Sequence, residues 1–104
     1  MKESNKINKD LYNSRIAKFV KYDGHPNETP DYFDYGYSMP VIDLIQSMGF
    51  QFYMQGHSVW IEPINADEEI VRTFEETLQE SIWMAIVEFI VWHEKNPDYD
   101  TNEM

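Results

Sequence analysis

The sequence predicts an α+β fold: an N-terminal helix, a short helix, a small antiparallel sheet of two to three strands, and a long C-terminal helix packed on that sheet. Three observations predict it. Apolar residues recur at helical spacing in three separate stretches. Two β-type runs, FQFYM and HSVWI, flank Gln55-Gly56 at the spacing of a two-residue hairpin. One segment, Thr77–His93, is apolar on nearly every side, with Glu88 the only charge between Ile82 and Val91. Such a helix has to be covered almost all round.

A chain of 104 residues fits one small domain, and oligomerisation is a common way for so small a core to add burial. The expected organisation is a flexible N-terminus (1–8), one α+β domain (9–95) and a flexible tail (96–104) that Pro97 keeps out of the last helix. From Lys9 to Lys21, Leu11/Tyr12, Ile16 and Phe19/Val20 form one buried helical stripe, with Arg15, Lys18 and Lys21 toward the negative end of the helix dipole. DGHPNETPD (23–31) has no apolar residue, and Gly24, Pro26 and Pro30 make it a loop.

The aromatic stretch Tyr32, Phe33, Tyr35 and Tyr37 leads into the second helix. Ser38 is its expected N-cap and Pro40 lies in its first turn. Val41, Ile42, Ile45 and Met48 mark its buried side, and Gly49 is placed to end it in a left-handed cap.

Pairing Met54 with His57 puts Phe50, Phe52, Met54, His57, Val59 and Ile61 on the core face of the hairpin. Gln51, Tyr53, Ser58 and Trp60 take the other face. Residues 69–74 read either as a third strand or as an extension of the last helix. The strand is preferred, because Thr77 and Glu80 form a capping box that starts a helix afresh, and a bare hairpin is marginal.

Composition narrows the function. With no cysteine, disulfides and thiolate sites are excluded. Residues 1–21 carry six bases against two acids, a net +4. The rest carries Arg72 and Lys95 against seventeen acids, a net −15. Such a body repels nucleic acid and favours basic protein partners, so direct nucleic-acid binding is not expected. MKESNKINKD has no signal-peptide core, and the apolar run is too short to span a bilayer. An intracellular protein without membrane attachment is expected.

His25, His57 and His93 make no HxxxH or HExxH pair, and no GxGxxG, P-loop or GxSxG is present. No metal, cofactor or catalytic residue is expected. The candidate ligand- or partner-binding residues are Tyr32, Phe33, Tyr35, Tyr37, Tyr53, Trp60 and Arg72. The aromatic loop reads either as a binding surface or as a lid on the core, and Arg72 either as a salt-bridge partner or as a holder of a phosphate or carboxylate. On the last helix, Trp83, Val87 and Val91 lie away from the sector that one sheet can cover. They are the expected interface of a homodimer or higher homo-oligomer, unless the N-terminal helix covers them.

Met39, Pro40, Val41, Ile42, Ile45 and Gly49, then Ala85, Ile86, Val87, Glu88, Phe89, Ile90 and Trp92, resemble the motifs "MPVV-x-x-I-x-x-x-G" and "A-x-x-x-A-V-V-E-F-I-x-W" of small bacteriophage proteins of the phage ABA-sandwich type. RIAKFVKYDG (15–24) resembles that family's "I-A-x-F-M-G" start, with Lys21-Tyr22 departing from it. The resemblance covers about three quarters of the chain and rests on core and capping positions. It implies a phage accessory protein in the host cytoplasm that binds a host or phage protein, in counter-defence or host takeover. Two alternatives follow from the residues: an oligomer sequestering a nucleotide-derived signalling molecule, and an acidic DNA mimic, which requires Glu62, Asp67, Glu75, Glu80 and Glu88 on one face.

Overall fold

A computed structural model describes residues 2–24 and 29–99, with residues 2–8 described for their backbone only. The elements are α1 (Lys2–Phe19), α2 (Tyr35–Ser47), β1 (Phe50–Gln55), β2 (Ser58–Pro63), β3 (Val71–Phe74) and α3 (Leu78–Lys95). The three strands form one antiparallel sheet in the order β1-β2-β3, and α3 packs on it. This is the predicted α+β fold, with residues 71–74 as its third strand.

Helix α1 begins at Lys2 rather than Lys9. Lys and Glu favour helix without needing an apolar stripe, so periodicity underestimates its length. It also ends before the loop glycine. Lys21 takes φ 57°, its N–H donates to the Lys18 carbonyl, and Tyr22 N–H reaches back to the Ala17 carbonyl at 2.9 Å. That is the Schellman arrangement, with lysine in the left-handed place where glycine is usual.

Helix α2 starts earlier than expected. Its N-cap is Asp34, whose Oδ1 accepts the Gly36 N–H at 2.7 Å. Ser38, the expected cap, is buried inside the helix, and Pro40 lies beyond the first turn at the cost of one backbone hydrogen bond. The far end follows expectation: Gly49 has φ 101° and its N–H meets the Gln46 carbonyl at 3.0 Å.

The hairpin pairs Gln55 with Ser58 and Met54 with Val59, so its loop is Gly56-His57. Gly56 has φ 60° while His57 does not enter the positive region, which suits a II′-type turn with glycine first. The predicted register is therefore off by two residues on β2. A slip of two preserves the faces, where a slip of one would exchange them. Phe50, Phe52, Val59, Ile61, Val71 and Thr73 are accordingly buried on one face, while His57 and Met54 at the hairpin end are exposed.

Two hydroxyls lock β3 to α3. Thr73 Oγ1 donates to the Ser81 carbonyl at 2.7 Å, and Ser81 Oγ accepts the Glu75 N–H at 2.8 Å while donating to the Thr77 carbonyl. Thr77 caps α3 by accepting the Glu80 N–H at 3.1 Å, the predicted start.

The apolar surplus of α3 is absorbed within the chain. One side meets β2 and β3, another meets α1, and α2 lies alongside. Phe89 is fully buried between Phe50 of the sheet and Phe19 of α1, a burial that contributes about 2–3 kcal/mol. Trp83 makes T-shaped contacts with Tyr12 and Phe33 at 5.4 and 5.7 Å and donates from Nε1 to Asn13 Oδ1 at 3.0 Å. Only 6% of Trp83 and 3% of Val87 remain exposed, and Val91 is half-buried. Of the expected interface residues, Trp83 and Val87 are thus buried within the chain, Trp83 under α1 as the alternative reading had it, while Val91 stays partly exposed.

After Lys95 the chain does not leave the body at once. Tyr99 folds back against Phe50 and Trp92, its ring 5.1 Å from the Trp92 ring. The expected flexibility of 100–104 falls outside the described residues, as does His25, for which no ligand role is expected.

Candidate binding face on the sheet

With the helices on one face of the sheet, the other face is built by the alternate residues of each strand. In β1 these are Gln51, Tyr53 and Gln55; in β2 Ser58, Trp60 and Glu62; in β3 Arg72 and Phe74. Tyr53, Trp60 and Arg72 are register partners of one another across the three strands. They form a continuous row.

The Tyr53 and Trp60 rings stack, 5.6 Å apart and 13° from parallel. Arg72 lays its guanidinium over the far side of Trp60, 4.5 Å from the ring centre, in cation–π contact. Two carboxylates hold the row in place. Glu69 accepts Arg72 Nε at 2.9 Å and a second, shorter bond from Nη2, and Glu62 accepts Trp60 Nε1 at 3.1 Å. The bidentate bond to Arg72 draws the Glu69 carboxyl below its usual range, and the same bond raises Arg72 further, with Glu69 and Glu62 adding their charge. Phe74 occupies the next row with Gln55 and Ser58, 70% exposed, and the His57 ring lies 6.1 Å away.

Tyr53 and Trp60, expected on one face of the hairpin, and Arg72, singled out apart from them, are therefore one constellation. Arg72 is a salt-bridge residue, as one of its two readings had it. The four loop aromatics sit elsewhere and divide. Tyr32 is core, and burial pushes its hydroxyl pKa up, with the Tyr22 and Tyr37 hydroxyls adding to the rise. Phe33 packs on Trp83 and receives the Lys9 ammonium at 4.9 Å. Tyr35 and Tyr37 remain about half exposed in the first turn of α2, Tyr37 leaning on Tyr32. Among the described residues, no ring contact joins these four to the sheet row.

Glu62, Glu69 and Phe74 were not among the predicted site residues. Phe74 shares the alternation of Arg72, a signal that the strand reading contains. Glu62 and Glu69 reveal their roles only once the register is known.

Four further acids, Glu75, Glu76, Glu80 and Glu88, lie near one another at the β3–α3 side. Burial raises the Glu80 carboxyl, with Glu75 and Glu76 adding repulsion, and burial raises Glu88, with Glu75 adding to it. A cavity of about 450 Å³ lies at the end of α1, lined by Lys18, Lys21 and Tyr22 among others. No helix among the described residues is long and apolar enough to cross a membrane, and no group of three or more histidine and carboxylate residues among them is spaced to hold a metal ion. No protein-family model, curated protein or solved structure matches the chain.

Proposed function

We propose that this is a non-catalytic binding protein of phage origin, holding a host or phage protein on the open face of its sheet inside the infected cell. The observation that carries this reading is the Tyr53–Trp60–Arg72 row. Tyr, Trp and Arg are the side chains that most often dominate protein interfaces. Here they are held in register by the sheet and by Glu69 and Glu62, so little rotamer freedom remains to be lost on binding. Because Arg72 is already occupied by Glu69, the row is a poor clamp for a phosphate and a good apolar surface with an acidic rim. That favours a partner with basic residues. The phage setting, and with it counter-defence or host takeover, rests on the motif resemblance alone.

Affinity capture from cells expressing tagged wild type or Trp60→Ala tests the reading. A central interface tryptophan is worth at least about 2 kcal/mol, roughly a 30-fold loss of affinity. A protein retained by wild type and lost by Trp60→Ala is the expected result; identical retained proteins refute it.

A second reading, a nucleotide-derived ligand, is favoured by the cavity beside Lys18 and Lys21. Thermal-shift screening of cyclic and ADP-ribose-type nucleotides decides it, and no shift with any of them removes it.

A further inference from the structure

Strand β3 ends the sheet, and among the described residues no strand pairs with its outer edge. Such an edge is a template for another chain, and proteins protect it with charge against unwanted pairing. The sequence around β3 is Glu68-Glu69, then Ile70 to Phe74, then Glu75-Glu76. In antiparallel pairing of β3 with β3 of a second copy, Glu68 and Glu69 of each strand face Glu75 and Glu76 of the other, and like charges directly opposite are destabilising. In parallel pairing the same acids face themselves. The edge is thus built against its own copy.

The same charges select a different occupant. Ser81 of α3 is tied to Glu75 and Thr73, and Glu88 lies two turns further along the same flank of α3, beside β3. Glu80 and Glu88 both feel the charge of Glu75, and among the described residues neither has a basic partner. On the open face the edge presents Phe74, 70% exposed, with Arg72 on the same face. An added strand therefore meets carboxylates on its helix side and at both ends, and an apolar surface on its open side.

We infer that the β3 edge takes up an extended, basic segment of a partner protein as a fourth strand, with lysine or arginine toward Glu75, Glu80 and Glu88 and apolar residues toward Phe74. Main-chain hydrogen bonds supply affinity in this mode and alternate side chains supply selectivity. The other edge, on β1, which no strand among the described residues pairs, has no flanking acids and offers no such selection. This inference rests on the reading of the sheet as a protein-binding surface and names the chemistry of what binds beside it.

The test uses the full chain and a short fluorescein-labelled peptide of alternating lysine and valine. Its controls are the same peptide with glutamate for lysine and a version N-methylated at alternate residues, which removes the strand's N–H donors. The inference expects binding by anisotropy, amide shift changes concentrated in Val71–Phe74, and loss of binding with both controls. The variant Glu68→Gln/Glu75→Gln/Glu76→Gln, which leaves the Glu69–Arg72 pair intact, is expected to weaken binding about tenfold. Equal binding of the N-methylated peptide, or no binding of the lysine peptide, overturns the edge inference. Concentration-dependent shifts in β3 for the protein alone also overturn it, because a second copy then occupies the edge. Capture that depends on Trp60 while the peptide fails to bind leaves the sheet-face reading standing and removes only this one.

Discussion

Replacing Asn13 by alanine is expected to be the most damaging polar substitution in the chain. Asn13 is buried on α1, and its single Oδ1 accepts both the Trp83 indole N–H at 3.0 Å and the Tyr32 backbone N–H at 3.1 Å. Its Nδ2 donates to Asp31 at 3.2 Å. One side chain thus ties α1 to α3 and to the loop that leads into α2. Alanine removes the acceptor and leaves two donors in a site closed to water. Each buried, unsatisfied donor costs about 1–3 kcal/mol, so the loss is about 2–6 kcal/mol. A domain of this size has about 5–15 kcal/mol in total, so the variant loses a large part of its stability. Urea unfolding followed by far-UV circular dichroism measures it. Trp83→Phe removes one of the two donors, so the double variant with Asn13→Ala is expected to show about 1 kcal/mol of coupling. A loss below about 1 kcal/mol for Asn13→Ala, or additivity in the cycle, refutes the account of α1 as the cover for α3.

Other outcomes follow from the same structure. Burial by itself raises the Asp31 carboxyl, but Lys9 at 2.9 Å, the Phe33 N–H and Asn13 outweigh it and hold the pKa below the usual carboxylate value. A depressed folded-state pKa contributes stability above the unfolded value near 3.8, and that stability is lost as pH falls through the folded pKa. Asp31→Asn is therefore expected to destabilise at pH 7 and to flatten the acid limb of a stability–pH profile below about pH 4. Glu88 is the opposite case: its raised pKa means that ionisation, as pH rises above the unfolded value near 4.5, weakens the fold. Glu88→Gln is expected to raise Tm at pH 7, with the gain vanishing below about pH 4. Ser81→Ala leaves the Glu75 N–H without its acceptor and is expected to cost about 1–3 kcal/mol in the same urea assay.

The elements were legible wherever a local signal decides them. Thr77 and Glu80 announce the start of α3, Gly49 the end of α2, and the alternation in FQFYM and HSVWI the two faces of the hairpin. Features set by competition among similar residues were not legible. Asp34 and Ser38 are both good caps, and only the packing of Ser38 into the core decides for Asp34. Gln55-Gly56 and Gly56-His57 are both two-residue loops, and pairing along the whole strand chooses the second. Lys21 in a left-handed cap carries no sequence signal at all. The covering of Trp83 needed the third dimension, because periodicity shows that a helix sector is apolar without showing which element lies on it. The site was half legible for the same reason. Strand alternation put Tyr53 and Trp60 on one face and the scarcity of bases marked Arg72, but their alignment in one row depends on a register that no local residue fixes.

The central claim, that the open face of the sheet holds the partner, is tested most directly by photocrosslinking in the cell. A benzoylphenylalanine at Tyr53 keeps an aromatic ring in the row, while the same residue at Leu11, 57% exposed on α1, reports on the helical side. A discrete covalent adduct from position 53 and none from position 11 is the predicted result. An adduct from position 11 with none from position 53 contradicts the account.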